Sequence, residues 1–142
     1  MLNCLVVLCA VGSGLIGGVF FAFSNSVMTA LGSLPAVHGI AAMQTINRVI
    51  LNPLFLGTFL PAMPGRGWIL AGAALYVIGS FAVTMLCNVP RNNRLMAIDP
   101  GSPEAAAVWK EYLTIWTGWN HVRAVAAVIA SGLFVIGALA SS

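Results

Sequence analysis

The stretch Trp68–Cys87, WILAGAALYVIGSFAVTMLC, contains no charged residue, and its reading decides the fold. It supplies the roughly 20 apolar residues that a helix needs to cross a hydrocarbon core of about 30 Å. The runs Leu2–Phe23 and Gly118–Ala140 are comparably long and apolar, whereas Val49–Met63 is short and borrows length from the segment before it. Of the 142 residues, 60% are hydrophobic and 6% charged, against roughly 25% charged in an average soluble domain. The expected fold class is all-α: an integral membrane four-helix bundle with an additional interfacial amphipathic helix, forming a single membrane domain over 1–142. Helices are expected at about 2–30, 36–63, 67–88, 103–117 and 118–140.

The positions of the charges say more than their sum of +3. Four crossings place Arg48, Arg91, Arg94 and Lys110 on one side and only Arg66, in the Pro64-Gly65-Arg66-Gly67 turn, on the other. The positive-inside rule makes the richer side cytoplasmic and puts both termini outside. Asp99, Glu104 and Glu111 fall on that same side. Six cations scattered along membrane-flanking positions do not form a nucleic-acid surface. No Lys or Arg precedes Arg48, so the first stretch lacks the basic region of a cleaved signal and reads as a retained helix. Cys4, Cys9 and Cys87 form no close pair and read as small packing residues.

Ala10, Gly14, Gly18, Ala22, Ser26 and Ala30 make a small-residue ridge on the first helix, which lets another backbone approach closely. It reads first as packing within the bundle and second as a homo-oligomer contact through the Gly14/Gly18 face. Pro53 should bend the second helix at Asn52, and an asparagine there can also satisfy the backbone groups freed by the bend. On the third helix Tyr76, Ser80, Thr84 and Asn88 recur every fourth residue, a spacing that drifts only about 40° per step. Asn88-Val89-Pro90 should end that helix. Ser102, Pro103 and Glu104 then read as an N-cap, a first helical position and a first-turn acid. The apolar positions that follow, Ala105, Val108, Trp109, Tyr112, Ile115 and Trp116, describe an amphipathic helix with an aromatic belt that either lies at the interface or runs on into the last crossing.

Against this background one helix carries a narrow polar stripe. Gln44, Asn47, Arg48 and Asn52 fall within an arc of about 140°, which is costly in lipid unless it faces a protein interior or a cavity. Thr84, Asn88 and Asn92 offer a second polar wall, and the start of the last crossing offers a third. There Trp116, Asn120 and Arg123 share an arc of about 60°, while His121 points roughly 160° away from Arg123. The resulting pocket holds amides, arginines and a histidine but no carboxylate at membrane depth, which disfavours paired-carboxylate chemistry and proton-coupled transport through Asp or Glu. A metal would have to rely on His38, His121 and Cys87, without HxxxH or CxxC spacing, so no metal is expected. Neither a phosphate-binding glycine loop nor a nucleophile elbow is present.

The runs Phe20-Phe21-Ala22-Phe23-Ser24, GIAAMQTIN at 39–47, Asn52-Pro53, NVPRN at 88–92 and WTGWNHVR at 116–123 together resemble the anthrone oxygenase family of small integral membrane proteins, across roughly residues 15 to 130. The resemblance implies a bacterial inner-membrane location and oxidation of an anthrone-like polycyclic aromatic to a quinone by O2, with no flavin, haem or metal cofactor. Its partners would be the bilayer, an apolar aromatic small molecule and O2. On this basis His121 is the expected base, with Asn120, Arg48 or Arg123 donating to the substrate oxygen. Trp116 and Trp119 are expected to stack on the rings, and Gln44, Asn47, Asn52, Thr84, Asn88 and Asn92 to line the site. Two alternatives use the same residues: a non-enzymatic binding or carrier protein for a lipophilic metabolite, and a structural subunit of a membrane complex.

Overall fold

The computed structural model describes residues 2–50 and 66–140. Among them the chain is entirely helical, in four helices without strands. Helix α1 covers residues 2–32, α2 is Ala36–Ile50, α3 covers 66–97 and α4 covers 105–139. Three stretches, Val6–Gly32, Gly67–Ala97 and Ala105–Leu139, are long and apolar enough to cross a membrane. The expected crossing over 36–63 is described only through Ile50, and Asn52 and Pro53 lie outside the described residues.

The long helices pack antiparallel to α4. Gly14 faces Ser131 and Gly17 faces Val128 and Ala124, while Gly72 faces Ala130 and Gly79 faces Ala126. Helices α1 and α3 therefore begin at the same end, where α4 finishes. Close packing explains the glycines. A Cβ at Gly17 would lie 2.8 Å from Val128 Cγ2 and 3.2 Å from Val128 N, and one at Gly79 would lie 2.6 Å from Ala126 Cβ. The ridge expected on α1 meets α4 at Ala10 and Gly14, but further along Gly17 makes the close approach, whereas a Cβ on Gly18 would meet nothing within 4 Å. A contact surface of period near 3.5 drifts off a strict four-residue repeat. Gly17→Ile is expected to destabilise the bundle by about 1–3 kcal/mol, the cost of overpacking. Gly18→Ile should leave the thermal midpoint in detergent unchanged; equal losses for the two would contradict this packing.

Two apolar clusters form the core. One joins Val6, Ala10, Ala130 and Phe134 near the ends of α1 and α4. The other joins Met28, Leu31, Ile40, Met43, Leu95, Ala105, Trp109, Tyr112 and Trp116. The aromatic residues expected as an interfacial belt are therefore core: Trp109, Tyr112 and Trp116 are buried because α2 and the end of α3 cover them. No separate interfacial helix precedes the last crossing, since α4 is continuous from 105 to 139. Its start also differs from the expected capping. The helix begins at Ala105, Glu104 provides no side-chain cap, and Ser102 Oγ is buried without a partner.

Pro90 does not stop α3, which continues to Ala97 with Asn88 itself in helical conformation. The preceding turns, Tyr76–Ala82 and Thr84–Asn88, are π-helical. Their wider spacing brings Pro90 into the first turn of the next α-segment, where its missing N–H costs nothing. The same wide turns counteract the drift of the four-residue line, so Ser80 and Asn88 are buried and Tyr76 and Thr84 half-buried.

Candidate functional site

Between the two apolar clusters lies a layer of buried polar side chains, assembled where three helices carry π-helical turns. These turns are Phe23–Val27 in α1, Tyr76–Ala82 and Thr84–Asn88 in α3, and Tyr112–Trp116 in α4. π-turns shift the helix register and loosen main-chain carbonyls, and they recur at functional sites. Here they bear Ser24, Ser80, Thr84, Asn88, Tyr112 and Trp116.

Asn120 is the hub and is 0% exposed. Its Nδ2 donates to the Phe20 carbonyl at 2.6 Å and to Ser24 Oγ, while its Oδ1 accepts from Arg123 Nε at 2.7 Å. Arg123, 7% exposed, also donates through Nη1 to Thr84 Oγ1 at 3.3 Å, and Thr84 Oγ1 donates to the Ser80 carbonyl at 2.7 Å. The guanidinium carbon lies 4.0 Å from the centre of the Phe20 ring and 5.1 Å from that of Trp116. The cation is thus held by one amide, one hydroxyl and two aromatic faces. Among the described residues the one ion pair is Arg94–Glu111, exposed at 57% and 44%, so no carboxylate balances Arg123. An exposed pair of that kind contributes little. A buried charge without a counter-charge is expensive, and a site that keeps one is suited to an anion or to an oxygen that becomes anionic.

Beside the cation stands an aromatic ladder. Trp109 and Tyr112 stack at 5.7 Å, and Tyr112 and Trp116 at 5.4 Å. Tyr112 donates to Asn92 Oδ1 at 2.7 Å, and the Asn47 amide lies alongside its hydroxyl. Asn88, 0% exposed, donates to the Trp116 carbonyl at 3.2 Å. Several polar atoms around this ladder are buried without a partner among the described residues: Asn88 Oδ1, Trp109 Nε1, Trp116 Nε1 and Thr117 Oγ1. Leaving such a group unpaired costs about 1–3 kcal/mol, so this layer has donors and acceptors to offer to water or to a bound molecule.

The structure gathers only some of the residues that the sequence suggested. Asn120, Arg123, Thr84 and Trp116 join one network, with Asn88, Asn92 and Asn47 at its edge. Gln44 is buried but structural, its Nε2 donating to the Leu95 and Ile98 carbonyls at 2.8 and 3.2 Å and thereby fastening α2 to the end of α3. Arg48 and His121 are exposed on outer faces, and Trp119 is 37% exposed. The opposed directions of His121 and Arg123 resolve in favour of Arg123, because α4 turns that side toward α1 and α3. Among the described residues no three His, Cys, Asp or Glu side chains come close enough to hold a metal. Phe20, Ser24 and Tyr112 were missed as site residues. Phe20 and Ser24 lie in a quoted motif without a polar stripe to reveal them, and Tyr112 was absorbed into the amphipathic pattern.

The fold and this layer define a class: a small helical integral membrane protein with a buried arginine held by an amide, a hydroxyl and two aromatic rings. A family model described as anthrone oxygenase matches residues 21–133, and the chain belongs to that family. The match spans Phe20's neighbours in α1 through the arginine and beyond it along α4. No curated protein and no solved structure matches the chain.

Proposed function

We propose that the protein oxidises an anthrone-like polycyclic aromatic to a quinone with O2, and that Arg123 binds the oxygen of the substrate as it becomes anionic. The supporting observation is the buried guanidinium between Phe20 and Trp116, fixed by Asn120 and Thr84 and without a carboxylate partner among the described residues. Family membership points to the same oxygenase-like role.

The chemistry balances without a further reactant. Loss of a proton from the carbon between the two rings gives an enolate whose charge rests on the carbonyl oxygen. That electron-rich anion reduces O2, a carbon–oxygen bond forms, and loss of water leaves a second carbonyl. Thus one CH2 and one O2 become one C=O and one H2O. Arg123 stabilises the enolate more than the neutral ketone, which is what accelerates the step. The proton leaves to water, since His121 faces outward. His121→Ala is therefore expected to change stability by less than about 0.5 kcal/mol and to leave the rate close to wild type. A rate at background for that variant would return the role of base to His121.

The test is turnover by purified protein in detergent, measuring anthrone loss, quinone formation and O2 uptake together. Equimolar quinone and O2, faster than the uncatalysed reaction, is expected. The alternative of a carrier is favoured by one observation, that no carboxylate or imidazole stands beside Arg123 among the described residues. A carrier would bind the aromatic and consume no O2. By the positive-inside rule the end carrying Arg91, Arg94 and Lys110 faces the cytoplasm, with both chain ends opposite.

A further inference from the structure

Asn25, Thr29 and Thr45 are exposed on their helices, and each donates to a carbonyl four residues earlier in its own helix. Such back-bonding is how a helix carries a polar side chain into hydrocarbon. His121 has no such bond among the described residues, although its ring carries one N–H donor and one acceptor nitrogen. It stands exposed ten residues beyond Glu111 of the Arg94 ion pair, about 15 Å further along the helix. At that depth a polar side chain is costly unless protein meets it. No described helix does. Helices α1 and α3 pack on α4 through Ala124 and Val128 and through Ala126 and Ala130. Helix α2 covers Trp109, Tyr112 and Trp116, on the side of α4 where Arg123 lies over the Trp116 ring. His121 points roughly 160° away from Arg123. Asn25 lies about 140° round α1 from Phe20, the other ring against Arg123. The residues just before them, Ser24 and Asn120, are bonded to each other. Asn25 and His121 therefore emerge at one depth, on the outer side of the α1–α4 seam.

We propose that this outer side of the α1–α4 seam is the contact surface between two copies of the chain, in which the His121 ring of each donates to Asn25 Oδ1 of the other. Copies inserted in the same orientation are related by a two-fold axis along the membrane normal, and that operation keeps every residue at its own depth. His121 and Asn25 share a depth, one with a free donor and the other with an oxygen that accepts no bond among the described residues. The surface is thus self-complementary, and the axis forms the bond twice. Two glycines lie on the same faces: Gly18, seven residues before Asn25, and Gly132, eleven after His121. Both are exposed, and a Cβ on either would meet nothing within 4 Å. Glycine disfavours a helix, and no contact within the described chain requires these two; bare backbone there lets α1 of one copy approach α4 of the other. Gly14, the other half of the expected oligomer face, is instead occupied within the chain by Ser131. Neither His121 nor Asn25 belongs to the Arg123 layer, so association and turnover are separable.

The association is read in a bilayer, where detergent does not compete for the surface. Full-length protein carrying a donor or an acceptor dye at its C-terminus is reconstituted into phosphatidylcholine vesicles over a range of protein-to-lipid ratios, and energy transfer reports the dimer. Wild type should dimerise. His121→Ala and Asn25→Ala should each weaken association about tenfold or more, since two interhelical bonds are lost. Gly18→Ile should do the same while keeping the wild-type thermal midpoint in detergent, so its loss of transfer is a loss of contact and not of fold. The geometry is checked by cysteine pairing, with Cys4, Cys9 and Cys87 replaced by serine. Oxidation of an Asn25→Cys protein mixed with a His121→Cys protein should link the two, and neither should link with itself. A wild type that stays monomeric at every ratio would overturn the proposal and leave the face to lipid or to a different chain. A dimer that tolerates both His121→Ala and Gly18→Ile, or mixed cysteines that do not link, would overturn it as well.

Discussion

Replacement of Arg123 by glutamine is expected to lower kcat/KM for anthrone oxidation by about 10²–10³, the size of loss seen when one donor to a developing oxyanion is removed. The glutamine amide nitrogen takes the place of Arg123 Nε and can keep the bond to Asn120, losing only the longer contact to Thr84, so the fold should survive. What disappears is the positive charge beside the aromatic faces of Phe20 and Trp116. Arg123→Lys keeps the charge but not the planar fork or its stacking, and it should recover only a small part of the rate. The measurement is quinone formation under air, with protein of each variant shown to be folded by its circular dichroism and thermal midpoint. Equal rates for wild type and Arg123→Gln would remove the arginine from the reaction.

Asn120→Ala should be the most damaging substitution for the bundle itself. Its amide ties the Phe20 carbonyl and Ser24 of α1 to Arg123 of α4, and all of these groups are buried or in the buried layer. Alanine leaves the carbonyl, the hydroxyl and the guanidinium Nε short of partners, each at about 1–3 kcal/mol. The thermal midpoint should fall sharply, and activity should fall with it because the arginine is no longer held. Asn120→Asp probes the same point differently. A carboxylate would pair with Arg123 and neutralise it, but its second oxygen would face the Phe20 carbonyl to which the amide donates, so that variant should lose part of the stability and be nearly inactive. A fully active Asn120→Asp protein would show that the cation need not be uncompensated.

Much of the architecture was legible because lipid imposes a length and a composition on whatever crosses it. Trp68–Cys87 announced a membrane helix, and the described helix contains it. Periodicity also separated His121 from Arg123 correctly, although it could not say which of them faced inward. The rest depended on features without a local signature. The π-turns have no residue code, yet they carry α3 through Pro90 and keep Thr84 and Asn88 turned inward. Trp109, Tyr112 and Trp116 looked interfacial because an aromatic stripe reads alike against headgroups and against another helix. Gln44 looked like a ligand contact because its acceptors, the Leu95 and Ile98 carbonyls, lie more than fifty residues away. Ser24 and Phe20 joined the buried network only once α1 met Asn120 and Arg123.

Stabilisation of the substrate as an anion by Arg123 can be isolated from the oxygen chemistry by working without air. Anthrone mixed anaerobically with the wild-type protein, at a pH where buffer alone leaves it neutral, should develop the long-wavelength absorbance of its enolate, and Arg123→Gln should not. A wild-type mixture that binds anthrone but shows only the neutral spectrum, indistinguishable from Arg123→Gln, would contradict the account.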